Sequence, residues 1–89
     1  MPTRPSQNDP ARVEAWAAYR ALVGGRIREI RKRRGFTQER LALESGVTRN
    51  VLIQVEQGKR GLLYERLFDL ANVLEVSVPA FFESSEEDG

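Results

Sequence analysis

Arg49, Asn50, Ile53 and Gln54 stand at helical spacing in the stretch FTQERLALESGVTRNVLIQVEQGKR, residues 36–60. An arginine offers two parallel N–H donors. Asn and Gln each pair a donor with an acceptor, and isoleucine offers only apolar surface. Together these groups read donor, acceptor and methyl patterns; none of them is a nucleophile. The chain has no histidine, the commonest general base, and no cysteine, so it has neither a thiolate metal site nor a disulfide. No catalytic or metal-ligating residue is assigned, no cofactor is expected, and an enzyme is the least supported class.

The elements that must position this face surround it. Thr37 caps a short helix, QERLALES, with Leu41 and Ala42 inward. Gly46 supplies the turn and Val47 plugs it. Thr48 caps a second short helix, RNVLIQVEQ, with Leu52 and Val55 inward and an end at Gly58. A small residue at the crossing, a glycine in the turn and apolar anchors on the second helix are the requirements of a helix-turn-helix, whose second helix enters the major groove of DNA. Other αα-hairpins share parts of this spacing.

Upstream, Asp9-Pro10 predicts a helix start. ARVEAWAAYRALV then carries a rough apolar stripe of Val13, Trp16, Ala17, Tyr19 and Val23. Gly24-Gly25 reads as a break or a tight-packing point. RIREIRKRR follows, with Ile27 and Ile30 inward and Gly35 as its cap. Downstream, LLYERLFDLANVLEV predicts an amphipathic helix with Leu63, Leu67, Leu70, Ala71 and Leu74 on one face, before a last short turn at VPAFFE. No segment alternates over strand length, so the fold class is all-α.

The 89 residues support one small domain with one modest core. The net charge of +1 conceals a segregation: residues 20–60 carry +7, residues 61–89 carry −6 and residues 1–19 balance. A basic stretch beside an acidic one suits a polyanion-binding surface, although charge runs are also ordinary solvated faces. No apolar run reaches the roughly 18 residues of a membrane span, and the N-terminus has no apolar signal segment. The expected location is therefore cytoplasmic.

The stretch RIREIRKRRGFTQERLALESGVTRNVLIQVEQGKR followed by LFDLANVLEVSVPAFF resembles the phage repressor–Cro (Xre-type) helix-turn-helix family over about residues 22–82. The motifs are the Ile-Arg-x-x-Arg-type first helix, Gly-x-Thr-Gln, Leu-Ala, Ser-Gly-Val-Thr, Glu-x-Gly-Lys and Leu-x-Val-Ser. The resemblance implies a five-helix repressor-like domain at 24–82, with an additional N-terminal helix at 9–23. Residues 1–8 and 83–89 read as a disordered N-terminus and an acidic disordered tail. By the same resemblance, Arg49, Asn50, Ile53 and Gln54 face base edges. Gln38, Thr48, Lys59 and Arg60 take DNA-backbone positions, and Arg31 and Glu56 form a structural ion pair. Arg26, Arg28, Lys32, Arg33 and Arg34 are either further phosphate contacts or solvated. Arg suits guanine, Asn and Gln suit adenine, and Ile suits the thymine methyl.

Leu62 and Leu63 stand where the family has proline and then Ser or Thr, and Glu75 stands where it often has glycine. The implied function is a sequence-specific transcriptional regulator that binds double-stranded operator DNA as a homodimer, without a small-molecule effector domain. The alternative is a protein-interaction module, such as an antitoxin or adaptor, on a repressor-like fold. Surplus apolar residues for a dimer fall on the N-terminal helix, with Trp16 and Tyr19, and on the last two helices, with Leu62, Phe68, Phe81 and Phe82; the second group is the expected interface.

Overall fold

A computed structural model describes residues 9–83. The readings for residues 1–8 and for the tail 84–89 lie outside the described residues. The described chain is all-helical: α1 Pro10–Arg33, α2 Gln38–Ser45, α3 Arg49–Glu56, α4 Tyr64–Leu74 and a terminal 3₁₀ turn, Val78–Phe82. Four α-helices and one 3₁₀ turn replace the expected five helices plus one, because what read as two helices around Gly24-Gly25 is one helix of 24 residues.

The two glycines explain the misreading. At Gly24, α1 crosses α3 so closely that an added Cβ would lie 2.0 Å from the Val55 carbonyl oxygen; at Gly25 an added Cβ would meet nothing within 4 Å. Gly24 therefore serves close helix–helix approach, and the helical ladder continues through both residues. At its start, the Asp9 carboxylate accepts from the Ala11 N–H at 3.0 Å, with Pro10 in the first turn.

The next two helices begin on hydroxyl caps. Thr37 Oγ1 accepts from the Arg40 N–H at 3.0 Å, and Thr48 Oγ1 accepts from the Val51 N–H at 3.3 Å. Between them Gly46 takes φ 83°, a left-handed conformation that costs an L-residue roughly 1–2 kcal/mol and glycine almost nothing. Helix α1 packs on α3 and on the 3₁₀ turn, while α2 packs on α3 and α4. Ile27, Ile30, Leu41, Val47, Leu52, Val55, Leu67, Leu70, Ala71, Leu74 and Phe81 form one buried cluster inside this arrangement. The Arg26 Nε–H donates to the Ala80 carbonyl at 2.9 Å and so ties the 3₁₀ turn to α1.

Three local readings change. Leu63 is not on the inner face of α4; it is the N-cap, 71% exposed, and contributes no side-chain bond to the first turn. Phe81 is fully buried, so it belongs to the core and cannot serve a dimer interface. Glu75 caps the C-terminus of α4 at φ 60°, the one non-glycine residue with positive φ among those described, and its carboxylate meets Arg34 at 2.9 Å.

Two tests follow from these positions. Gly24→Ala should lower stability by about 1–3 kcal/mol or more, because two backbones must separate. The adjacent Gly25→Ala should raise it by about 0.5–1 kcal/mol, because an open helix-interior glycine gains a better helix former. Leu63→Ser should stabilise α4 by about 1 kcal/mol by supplying the missing cap, which corresponds to roughly 4–8 °C in melting temperature for a domain of this size. Thermal melts of the three variants check all of these signs.

Candidate nucleic-acid interface

Helix α3 has two different sides. Leu52, Val55 and Glu56 are buried, and Asn50, Ile53, Gln54 and Gln57 repeat at one–four–five–eight positions on the opposite side. Arg49 and Asn50 are exposed, whereas Ile53 and Gln54 are half-buried against the neighbouring surface. Gln57, exposed at the C-cap, extends this row by one more amide. In the sequence, Gln57 falls at the end of the second short helix and is given no part in this face. Its spacing from Asn50 and Gln54 was the available clue.

The inner side of α3 is locked by charge. Arg31 Nε–H donates to Glu56 Oε2 at 2.7 Å, and its Nη2–H donates to Glu56 Oε1 at 3.1 Å. The third guanidinium nitrogen, Nη1, donates to the Phe36 carbonyl at 2.8 Å. The two side chains are only 9% and 2% exposed, so this is a shielded bidentate pair. Gln38 Nε2 donates to Glu56 Oε1 at 2.9 Å. An amide nitrogen carries two hydrogens. Gln38 is half-buried at the start of α2.

The C-terminal end of α3 closes with paired backbone bonds. The Gly58 N–H donates to the Val55 carbonyl at 3.0 Å and the Lys59 N–H to the Gln54 carbonyl at 2.9 Å. This directs the chain away at the last turn and leaves the Lys59 and Arg60 side chains exposed. Thr48 is exposed at the other end of the helix, its hydroxyl engaged as the cap.

The basic residues of α1 divide by role. Arg26 is the tether to the 3₁₀ turn and is neither a solvated group nor a free one. Arg33 meets Glu29 at 3.3 Å and Arg34 meets Glu75, both as exposed pairs that add little stability. Arg28 and Lys32 are exposed. On α2, the Arg40 guanidinium lies over the Phe36 ring at 4.0 Å and meets Glu44 at 2.9 Å. Among the described residues, no group of acidic side chains could hold a metal ion, and no helix is long and apolar enough to cross a membrane.

The ion pair has a direct test. Glu56→Ala strands Arg31 in the interior, which should cost about 3–5 kcal/mol out of a total of about 5–15 for a domain of this kind. Glu39→Ala, at an exposed site on α2, should cost under about 0.5 kcal/mol. Urea denaturation of both variants measures the contrast.

Known proteins share this fold. The helix-turn-helix (HTH_3) family matches residues 27–81. The HTH-type transcriptional regulator y4dJ of Sinorhizobium fredii is 36% identical over 58 residues, 65% of this chain and 75% of that protein. An HTH-type transcriptional regulator of Sinorhizobium medicae is 36% identical over 67 residues, which span 75% of this chain and 48% of that protein's length. Among solved structures, the restriction-modification controller protein C.AhdI from Aeromonas hydrophila superposes with a TM-score of 0.72 at 33% identity, covering 74% of this chain and 96% of its own. The chain belongs to the helix-turn-helix (HTH_3, Xre-type) family of DNA-binding regulators.

Proposed function

We propose that this chain is a sequence-specific transcriptional regulator that binds operator DNA as a homodimer, with one α3 per half-site. The observation that carries this reading is the outward row on α3. Its polar and apolar side chains match base-edge chemistry, Arg49 and Asn50 are exposed among the described residues, and the opposite side of the same helix is locked to α1. In this reading Arg49, Asn50, Ile53 and Gln54 approach base edges, and Gln57 extends the contact.

Gln38 gives its second N–H to a phosphate while the first stays on Glu56, so the backbone contact and the internal clamp share one side chain. Thr48, Lys59 and Arg60 flank α3 at its two ends and serve the phosphates there. The basic charge of residues 20–60 steers the encounter, and the acidic balance of residues 61–89 keeps the remaining chain from competing for DNA. Two-fold pairing supplies what one short helix lacks: two sets of contacts at a spacing of about one helical turn, ~34–36 Å.

Base readers and phosphate contacts give different signatures. Arg49→Ala or Asn50→Ala should cost about 1–3 kcal/mol on the preferred site and relax preference at one base pair. Lys59→Ala should weaken all duplexes about equally and flatten the salt dependence by about one counterion. Competition binding against single-base variants of a selected site separates the two. A uniform loss for Arg49→Ala, with base preference intact, would move Arg49 to the phosphate group and undo its assignment.

A further inference from the structure

The face by which α1 packs on the body does not stop where the body stops. Val13, Trp16, Arg20, Val23, Ile27 and Ile30 follow a three–four repeat without interruption, the spacing of a helix–helix seam. Ile27 and Ile30 are buried, Val23 is half-buried, and Arg20 donates from Nε to the Gly58 carbonyl at 3.3 Å. Among the described residues the seam has no floor beyond Arg20, and residues 10–19 are all exposed. This arm also lies outside the family match, which begins at Ile27.

Its composition is unsuited to water. Within residues 10–23, Arg12, Glu14 and Arg20 are the only charged side chains, and the rest are alanine, proline and large apolar groups. A helix apolar on most sides is normally covered. Val13, Trp16, Tyr19 and Leu22 are 41%, 42%, 65% and 45% exposed. At the 150–250 Å² scale of an aromatic side chain, they present roughly 400 Å² together, the range in which exposed apolar patches are functional. At the base of the arm a groove walled by Tyr19, Val23, Leu62, Leu67 and Phe82 continues the same apolar surface.

We propose that the arm and this groove are the interface with a second copy of this chain, the two arms lying antiparallel across a two-fold axis. The proposal rests on the dimeric-regulator reading for its purpose but stands on separate observations. The area suits a second copy. A 14-residue arm is about 20 Å long and about 10 Å wide, and under two-fold symmetry each copy contributes both an arm and a groove. The roughly 400 Å² of arm with the small groove beside it covers about 500 Å² per copy, or about 1,000 Å² in total, the size a specific interface must reach. The charge also suits it: Asp9 and Glu14 balance Arg12 and Arg20, so two identical arms meet without the repulsion that two basic faces would impose. The base-reading row stays free, since none of Arg49, Asn50, Ile53 and Gln54 borders the groove; of the proposed backbone contacts, Arg60 alone stands at its rim. Phe68, exposed on α4, has no place in this interface.

The test uses the full chain and its single tryptophan, Trp16. Sedimentation velocity at micromolar concentration should give a dimer. Trp16 emission should move to shorter wavelength over the same concentration range in which the dimer forms. Tyr19→Glu should weaken dimerisation roughly thirtyfold or more, the loss expected for an aromatic anchor near the centre of an interface, with helix content retained; Trp16→Glu should do the same. Phe68→Glu should leave the dimer intact. A monomeric wild type overturns the proposal. So does a dimer whose Trp16 emission ignores dissociation, or one broken by Phe68→Glu and not by Tyr19→Glu; DNA binding by such a protein would leave the regulator reading standing. Conversely, an arm-dependent dimer that discriminates among no DNA sequences would sustain the interface and remove the regulator reading.

Discussion

The buried bidentate contact between Arg31 and Glu56 is the interaction on which the useful geometry of this domain depends. Helix α3 has eight residues, about two turns, far below the length at which a helix is stable alone in water. It exists because it is held. The close approach at Gly24 sets the distance between α1 and α3, and Arg31 sets the rotation of α3 about its own axis by gripping Glu56 in its last turn. Turning α3 by a fraction of a turn would swing Asn50 and Ile53 away from the outward side, and it would also break hydrogen bonds to a charge with no water to replace them.

A buried ion pair is seldom an efficient source of stability, since desolvation of both partners offsets much of their attraction. Here its reach is more telling than its strength. Glu56 is shared between Arg31 of α1 and Gln38 at the start of α2, and Arg31 also holds the Phe36 carbonyl in the intervening loop. One carboxylate thus fixes three elements relative to each other. A recognition helix held before binding pays little ordering entropy when it docks, which favours tight and selective contacts from a small surface. In the proposed reading, the basic residues around it draw in a polyanion, and the clamp decides which side chains then meet it.

Much of this was readable from the chain itself. Thr37, Gly46 and Thr48 each have a local physical duty, so the boundaries of α2 and α3 follow from their types and spacing. The buried faces of α2 and α3 follow from periodicity for the same reason. The pairing of Arg31 with Glu56 joins residues 25 positions apart, and nothing local announces it; only the family resemblance brought it forward. The continuity of α1 was hidden because adjacent glycines carry the same local signal whether they end a helix or admit a neighbour. The Val55 carbonyl that decides the matter is 31 positions away. Arg26 and Phe81 were misjudged similarly. An arginine in a basic run looks solvated until the Ala80 carbonyl is seen beside it, and of two adjacent phenylalanines only the packing of the last turn shows that Phe81 enters the core and Phe82 does not.

The most direct measurement is an amide-resolved NMR titration of the full chain with a duplex recovered by selection from random sequences. The predicted result is perturbation concentrated at Arg49, Asn50, Ile53, Gln54 and Gln57, with Gln38, Lys59 and Arg60 following, while the Arg31 and Glu56 side-chain resonances keep their free-state positions because the clamp does not open. Perturbations confined to α4 or to the N-terminal arm, with the α3 row silent, would contradict the assignment of α3 as the reading element, as would loss of the Arg31–Glu56 contact on binding.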